Sequence, residues 1–555
     1  MKLLSACLAV LMLSTVIVAQ NDPAPSPPDK PEIPANVLNE TFNKPPEKPD
    51  WVLRKHGEGN EPNVGDGKLN LLTGAGDENN SAAWPRTVEG GYRHVKAELV
   101  FSITEQSRGL SLMLLHTAHF ADKGAAFYLY KAKGFPGDPK PTEPQWDEPN
   151  LWGSFAVALD THNPPSEDPF DANGNVHERP QREVSLHYDG REVANAFCEP
   201  DFVTGEASVL GVQIDFVTGG AEVTVGVGGQ AMYDRYFIPH MMPYESRVGV
   251  GARGDKDAKC SIDSLNVEWD KEALDWHSPM TVQAIKSGWS RPGEALYTKE
   301  THLLPTDLNY ERVIMTLRLK PMVERDEWDR LGHVWVWDNE EKFELARILT
   351  PFMLWGTTYE YVCDVTDFGH LLDGVRKLGV NMGANVGKGF VFDLEFTYYR
   401  KPDEVAALPK VVEVQNVWSG NADFTKEESL AKVFGKRSVK VPANAKRAKL
   451  RICVTGHGVL EFTPLMRTLT VGDKKFENKL WTQDCYLNPW RPQFGTWKYD
   501  RAGWGPGSFG RVWEVDVSSL MVPGKELSLE YTSAEFDAKG KWSSHRIESQ
   551  IVFYE

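Results

Sequence analysis

The sequence is poor in cysteine, carries no excess of positive charge and, after its first 19 residues, has no apolar run long enough to span a membrane. Each absence excludes something. Lys and Arg total 61 against 78 Asp and Glu, a net charge of −17, which argues against nucleic acid or an anionic membrane surface as a partner because phosphate binding needs a basic face. A neutral, polar ligand fits better. The six cysteines form no CxxC and no closely spaced Cys/His set, so neither a structural zinc nor any other cofactor is expected. No helical period persists past about two turns.

What remains is strand and turn. Met1-Lys2 and the apolar stretch to Ala19 read as a secretory signal, which implies a secreted or periplasmic protein. Beyond it Cys198, Cys260, Cys363, Cys453 and Cys485 are odd in number, so at least one thiol has no partner in the chain; Cys198 with Cys260 is the pair considered. Residues 20–50 are rich in proline and read as an extended linker. Asn39-Glu40-Thr41 and Asn79-Asn80-Ser81 match the glycosylation pattern. The length suggests roughly three to four domains, and the pattern divides at 51–270, 279–408 and 409–555.

Within 51–270, short apolar-polar runs at 96–103, 125–130, 155–159, 212–216 and 221–225, separated by Gly/Pro/Asp-rich loops, predict a β-sandwich. The run Gly153-Ser154-Phe155-Ala156-Val157-Ala158-Leu159-Asp160-Thr161-His162-Asn163, with the strands at 247–253 and 261–267, resembles the concanavalin-A-like jelly roll of L-type lectins. Lectins of that class hold calcium near such a strand. Asp160, Asn163, Asp168 and Asp171 offer the hard oxygen ligands calcium takes, although an acidic surface loop explains them as well. His116 and His119 are not expected to form a metal site, since an i,i+3 pair on a strand faces opposite sides. His240-Met241-Met242 has copper-like composition but no second His cluster beside it.

The densest cluster of reactive groups is Arg325-Asp326-Glu327-Trp328-Asp329-Arg330, between predicted strands at 313–319 and 333–337. Loops held by rigid sheets are where chemistry usually sits, although a solvated loop of mutually paired charges would read the same way.

Three segments resemble the peptide-N-glycosidase F family of bacterial amidases, which remove whole N-glycans from asparagine. The first is Asp326-Glu327-Trp328-Asp329-Arg330 with Arg347-Ile348-Leu349-Thr350-Pro351-Phe352 and Asp364-Val365-Thr366-Asp367-Phe368. The second is Thr455-Gly456-His457-Gly458 leading to Glu461-Phe462 and Arg467. The third is Asp484-Cys485-Tyr486-Leu487-Asn488-Pro489 with Gln493 and Asp500-Arg501-Ala502-Gly503-Trp504-Gly505. The resemblance implies an all-β chain, the sandwich followed by two antiparallel eight-stranded jelly rolls with a glycan cleft at their junction. It implies Asp329 as principal catalytic carboxylate, Glu461 as second active-site acid, and Arg330, Arg501 and Trp504 as matches to substrate-binding positions.

The chemistry can be stated beside it. Amide cleavage needs a carboxylate to activate water and a donor such as Arg501 for charge developing on oxygen. A neutral sugar needs aromatic walls and polar partners, for which Trp328, Phe462, Trp504 and His457 are the candidates. Gly383 stands where the family has a third acidic residue, Lys320 and Arg325 where it has two cysteines, and Gly505 where it has the partner of Cys485.

The function expected is a secreted amidase acting on N-glycosylated peptides or proteins and leaving aspartate. The alternatives are a carbohydrate-binding protein that has lost turnover and a glycoside hydrolase using Asp329 and Glu461 as its acid/base pair.

Overall fold

The structure, a computed structural model, describes residues 36–555 except 45–50, 125–144, 162–181, 271–275, 305–309, 323–327, 353–357, 384–388, 402–406, 484, 491–492 and 494. The leader at 1–19, the predicted strand at 125–130, Asn163, Asp168, Asp171 and Arg325-Asp326-Glu327 therefore lie outside the described residues. Short alternating runs become strands throughout, and these join into six sheets.

The first two sheets face each other as a sandwich. An eight-stranded sheet contains His94–Ile103 and Lys259–Trp269, and a seven-stranded sheet contains Ser107–His116, Phe155–Asp160 and Ser246–Gly254. Their inward side chains, among them Leu99, Phe101, Leu112, Val157 and Val250, make one buried core. Four four-stranded sheets follow. Two form a first roll containing Arg312–Pro321, Leu331–Asp338 and Glu341–Leu349, and two form a second containing Arg447–Gly458, Leu465–Val471 and Ser543–Tyr554. The fold is all-β, a sandwich and two eight-stranded antiparallel rolls.

Several local expectations are corrected. Within the stretch taken as linker, Asn36–Glu40 is a strand paired with Lys259–Trp269, from Asn36↔Trp269 to Glu40↔Leu265. Pro34 and Pro45 bracket a proline-free run there, so its N–H groups are available to a sheet edge. Cys198 and Cys260 are not paired; both are buried thiols, Cys198 just past the strand Arg191–Phe197 of the seven-stranded sheet and Cys260 on Lys259–Trp269 of the eight-stranded one. The strand bearing His116 ends there and the chain turns into the short helix Thr117–Phe120, which brings the His116 and His119 rings to 5.1 Å instead of onto opposite faces. Asn79 is buried within Glu78–Ala83 and is closed to glycosylation.

The two rolls share backbone. Gly507 N donates to Leu349 O at 3.0 Å, Leu349 N to Ser508 O at 2.9 Å and Gly510 N to Arg347 O at 2.8 Å, so residues 507–510 extend the edge of the first roll's sheet. Beside this ladder Arg347 is clamped through Nε and Nη2 to Glu344, both 3.1 Å, while Nη1 crosses to Arg546 O at 2.8 Å and Thr455 Oγ1 at 3.1 Å. Glu344 also accepts from His333. Burial works against ionising Glu344, but Arg347 and His333 outweigh it and hold its carboxyl well below the usual range.

The sandwich meets the first roll through side chains. His240 bridges Tyr399 Oη at 2.5 Å and Thr316 Oγ1 at 3.1 Å, so both ring nitrogens are engaged by hydroxyls. Arg191 pairs with Glu360 at 3.1 Å, and the Arg312 guanidinium lies 4.1 Å from the Phe237 ring centre.

Candidate active site

The junction of the two rolls gathers the acidic residues singled out above. Asp329 lies two residues before Leu331–Asp338, and the chain beside it is pinned to the end of the neighbouring strand. Arg330 N donates to Thr350 Oγ1 at 2.7 Å and Thr350 N to Arg330 O at 3.0 Å. Glu461 sits on the single 3-10 turn Val459–Phe462 that follows Arg447–Gly458. Its carbonyl accepts from Ala502 N at 2.9 Å, which ties the turn to the segment carrying Arg501.

Arg501 is wholly buried and nearly saturated. Its Nε donates to Glu461 Oε1 at 3.0 Å, Nη1 to the carbonyls of Thr496 and Tyr499, both 2.7 Å, and Nη2 to Thr496 Oγ1 at 2.8 Å. Of the five N–H groups of a guanidinium this leaves one, on Nη2. The direct contact with substrate expected of Arg501 therefore gives way to a different task, fixing the Glu461 carboxylate. The guanidinium is packed between aromatic rings, with Phe462 at 4.9 Å and Trp504 at 5.0 Å.

Trp504 corrects the expectation of a sugar-facing wall. It is 2% exposed, its Nε1 donates to Gly456 O at 2.9 Å, and it stacks on His457 at 6.0 Å. It supports Arg501 from beneath. Gly503 makes this possible: its φ is +79°, and a Cβ there would lie 2.1 Å from Val454 O. His457 shares a hydrogen bond with Thr455 Oγ1 at 2.9 Å, and burial, reinforced by Arg546 and Arg347, drives its pKa well down, so the ring is neutral.

The exposed aromatic surfaces here are Trp328, 57% exposed and next to Asp329 in the chain, and Phe462, 45% exposed and next to Glu461. Asp329, like Glu548 on Ser543–Tyr554, is held far above the usual carboxylate range. Burial and then the charge of Glu461 push it up to about 7, with Arg501 and Arg330 opposing. Glu461 is also raised, by burial, against the pull of Arg501. A carboxyl poised near neutrality can exchange protons with water at working pH.

Gly383 adjoins this site: Gly383 N donates to Leu331 O at 3.0 Å, and a Cβ at 383 would lie 4.0 Å from Arg330 Cδ, with no atom of the described residues closer than 3.4 Å. Among the described residues a side chain at 383 would have room.

Sequence reasoning missed two contributors. Phe352, quoted only as part of a motif, stands 6.5 Å from Trp328 and 5.8 Å from the Arg501 guanidinium and packs with Leu487 and Trp497. Phe197, from the sandwich, packs on that same cluster, so the front domain reaches the wall of the cleft. Nothing in the local sequence of Phe197 signals this, because its partners lie far along the chain.

The family model described as "Peptide-N-glycosidase F, C terminal" matches residues 423–552. Over 271 residues the chain is 27% identical to peptide-N(4)-(N-acetyl-beta-D-glucosaminyl)asparagine amidase F of Elizabethkingia miricola, covering 45% of this chain and 73% of that protein. The solved structure of PNGase F, a glycosylasparaginase from Flavobacterium meningosepticum, is 21% identical, covers 50% of this chain and 96% of that one, and superposes with a TM-score of 0.45. The exoplasmic/lumenal domain of VIP36, solved with Ca2+ and Man3GlcNAc bound, is 16% identical over 44% of this chain and 90% of that one, with a TM-score of 0.28. The C-terminal half is thus similar to the peptide-N-glycosidase F family.

Proposed function

We propose that the chain is an exported amidase that hydrolyses the bond between glycan and asparagine in N-glycosylated peptides. The observation that carries this reading is the meeting of Asp329 and the Arg501-bound Glu461 at the junction of the two rolls, beside the exposed rings of Trp328 and Phe462, with burial and Glu461 pushing Asp329 up to about 7. Above about pH 7 Asp329 takes a proton from water as the oxygen attacks the side-chain amide carbon, a contribution of roughly 10²–10⁴-fold. Glu461, locked by Arg501, orients that water. Arg330 supplies the donor for the oxygen that gains charge. Collapse breaks the C–N bond as Asp329 passes the proton it took from water to the departing nitrogen, so the glycosylamine leaves and the peptide keeps aspartate. Trp328 and Phe462 take the apolar face of the first sugar. The leader at 1–19 supports export, and the sandwich, held against the cleft by Phe197, supports a role in presenting the glycan.

The test is product analysis on a denatured N-glycopeptide with wild type and Asp329→Asn. Wild type converts asparagine to aspartate with kcat/KM rising as pH passes about 7; the variant loses roughly 10²-fold or more. Removing the Glu461 charge by Glu461→Gln moves that rise to lower pH, because Glu461 holds the Asp329 pKa up. A sugar left on asparagine would instead mark a glycoside hydrolase.

Gly383 favours one competing reading, a glycan-binding protein without turnover. The two separate cleanly: Gly383→Glu fills open space beside Arg330 and, for an amidase limited by the missing acid, raises turnover several-fold. Binding that persists with no conversion by either form would establish the other reading.

A further inference from the structure

A second concave site lies on the second roll, between Leu465–Val471, Lys474–Leu480 and Val512–Asp516. It has a volume of about 220 Å³ and meets the acidic site at Gly503, the residue that lets Trp504 pack. Its floor includes Arg467, 5% exposed, and Thr482, 4% exposed. Both are polar groups with work undone: Arg467 Nη1 and Thr482 Oγ1 have no hydrogen-bond partner among the described residues. Arg467 Nε donates to Asn478 Oδ1 at 2.9 Å, and its guanidinium lies 4.8 Å from the Trp513 ring centre. The neutral Tyr531 hydroxyl is the polar group that reaches the guanidinium from the core side, and it brings no formal charge to balance it. Among the described residues no carboxylate pairs with Arg467; burial presses it toward its neutral form, and Tyr531 and Cys453 are what oppose that. A buried cation left this way calls for an anion.

The walls say what kind. Trp481 and Trp513 are half-buried indoles that suit the C–H face of a sugar ring. The exposed rim adds Lys479 and Arg511 against Glu514, so the lining carries two positive charges in excess on a chain of net −17. The space is far larger than one water and below the roughly 300–1,000 Å³ of drug-sized ligands, which selects a single ring.

We infer that this cavity binds one carboxylate-bearing pyranose, a sialic or uronic acid residue, with Arg467 on the carboxylate and the two indoles on the ring. A guanidinium fork matches a carboxylate in shape and charge. The site abuts the segment that carries Arg501: Thr482 and Arg501 exchange backbone hydrogen bonds at 2.7 and 3.2 Å, and Arg511 N donates to Gly503 O at 2.8 Å. The inference rests on the amidase reading only for the source of the sugar, an acidic branch of a glycan.

Calorimetric titration of the purified full chain with N-acetylneuraminic acid, methyl glucuronide, methyl glucoside and inorganic sulfate tests it. The two acidic sugars bind, and methyl glucoside and sulfate bind at least about tenfold more weakly. Arg467→Lys and Trp513→Leu each weaken acidic-sugar binding about tenfold, and the rim variants Arg511→Gln and Trp481→Ala do so several-fold and carry the test should Arg467→Lys fail to fold. Asp329→Asn leaves this affinity unchanged while abolishing turnover, so failure of the amidase reading shows in products and failure of this one in binding. No binding of either acidic sugar, equal binding of the neutral sugar or of sulfate, or indifference to Arg467→Lys overturns it.

Discussion

The two junctions in this molecule are built differently. Between the rolls, backbone pairs with backbone at 507–510, the ion-paired Arg347 reaches across to Arg546 O and Thr455 Oγ1, and Val414, Val552 and Tyr554 of the second roll pack into the core of the first. Between sandwich and rolls the contacts among the described residues are made by side chains: a histidine between two hydroxyls, an ion pair, a guanidinium on a ring and Phe197 on the Phe352 cluster. The proposed chemistry sits at the first kind of junction, where an error of an ångström in placing Asp329 against Glu461 would matter most. The front domain is attached by the kind that a change of conditions can loosen.

The contrast is broken most severely at Arg347. Arg347→Ala strips Glu344 of its buried partner and removes the crossing to Arg546 and Thr455, so unfolding in denaturant should show a loss of about 3–5 kcal/mol and turnover should fall with it. It is strengthened by Gly505→Cys. A Cβ at 505 would lie 3.5 Å from Cys485 Cβ, within the ~3.5–4.5 Å of disulfides. The bridge should form in air, raise stability by about 3 kcal/mol in the loop-entropy view and vanish with reductant, read by thiol counting and melting temperature.

Acid sharpens the contrast at His240. Burial, with Arg191 and Arg318 adding and Glu360 opposing, lowers its pKa to about 4. Unfolded, it titrates near 6.5. Below that the unfolded chain binds the proton the folded one resists, so the stability His240 confers is complete above about 6.5 and is lost as pH falls toward about 4, by about 3 kcal/mol at most. Calorimetry at pH 7.5 and 5 should show a front-domain transition moving down with acid, and His240→Gln should abolish that component.

Fold class was legible because alternation and turn residues are local, and each strand announces itself within its own few residues. Asp329 and Glu461 were legible through a resemblance, and their flanking strands through β-branched runs. Burial was not. Arg501 and Trp504 are polar and aromatic residues in a glycine-rich segment, which reads as a binding loop; only the three-dimensional packing puts them under the site. His116 and His119 misled for a related reason, since the strand ended where periodicity had no power to say so. Arg467 was quoted in a motif, yet its missing counter-charge is a property of space and not of sequence.

The ladder at 507–510 also bears on how the chain is made. The strand Glu341–Leu349 leaves the ribosome early, with one edge paired to Leu331–Asp338 and the other bare until residues 507–510 have been synthesised. The sandwich carries no such debt and can close as soon as 269 emerges. Vectorial synthesis therefore yields a finished front domain beside a half-finished roll with an adhesive edge, and the interval before the last strands arrive is the one in which this protein is most exposed to pairing with a neighbour instead of itself.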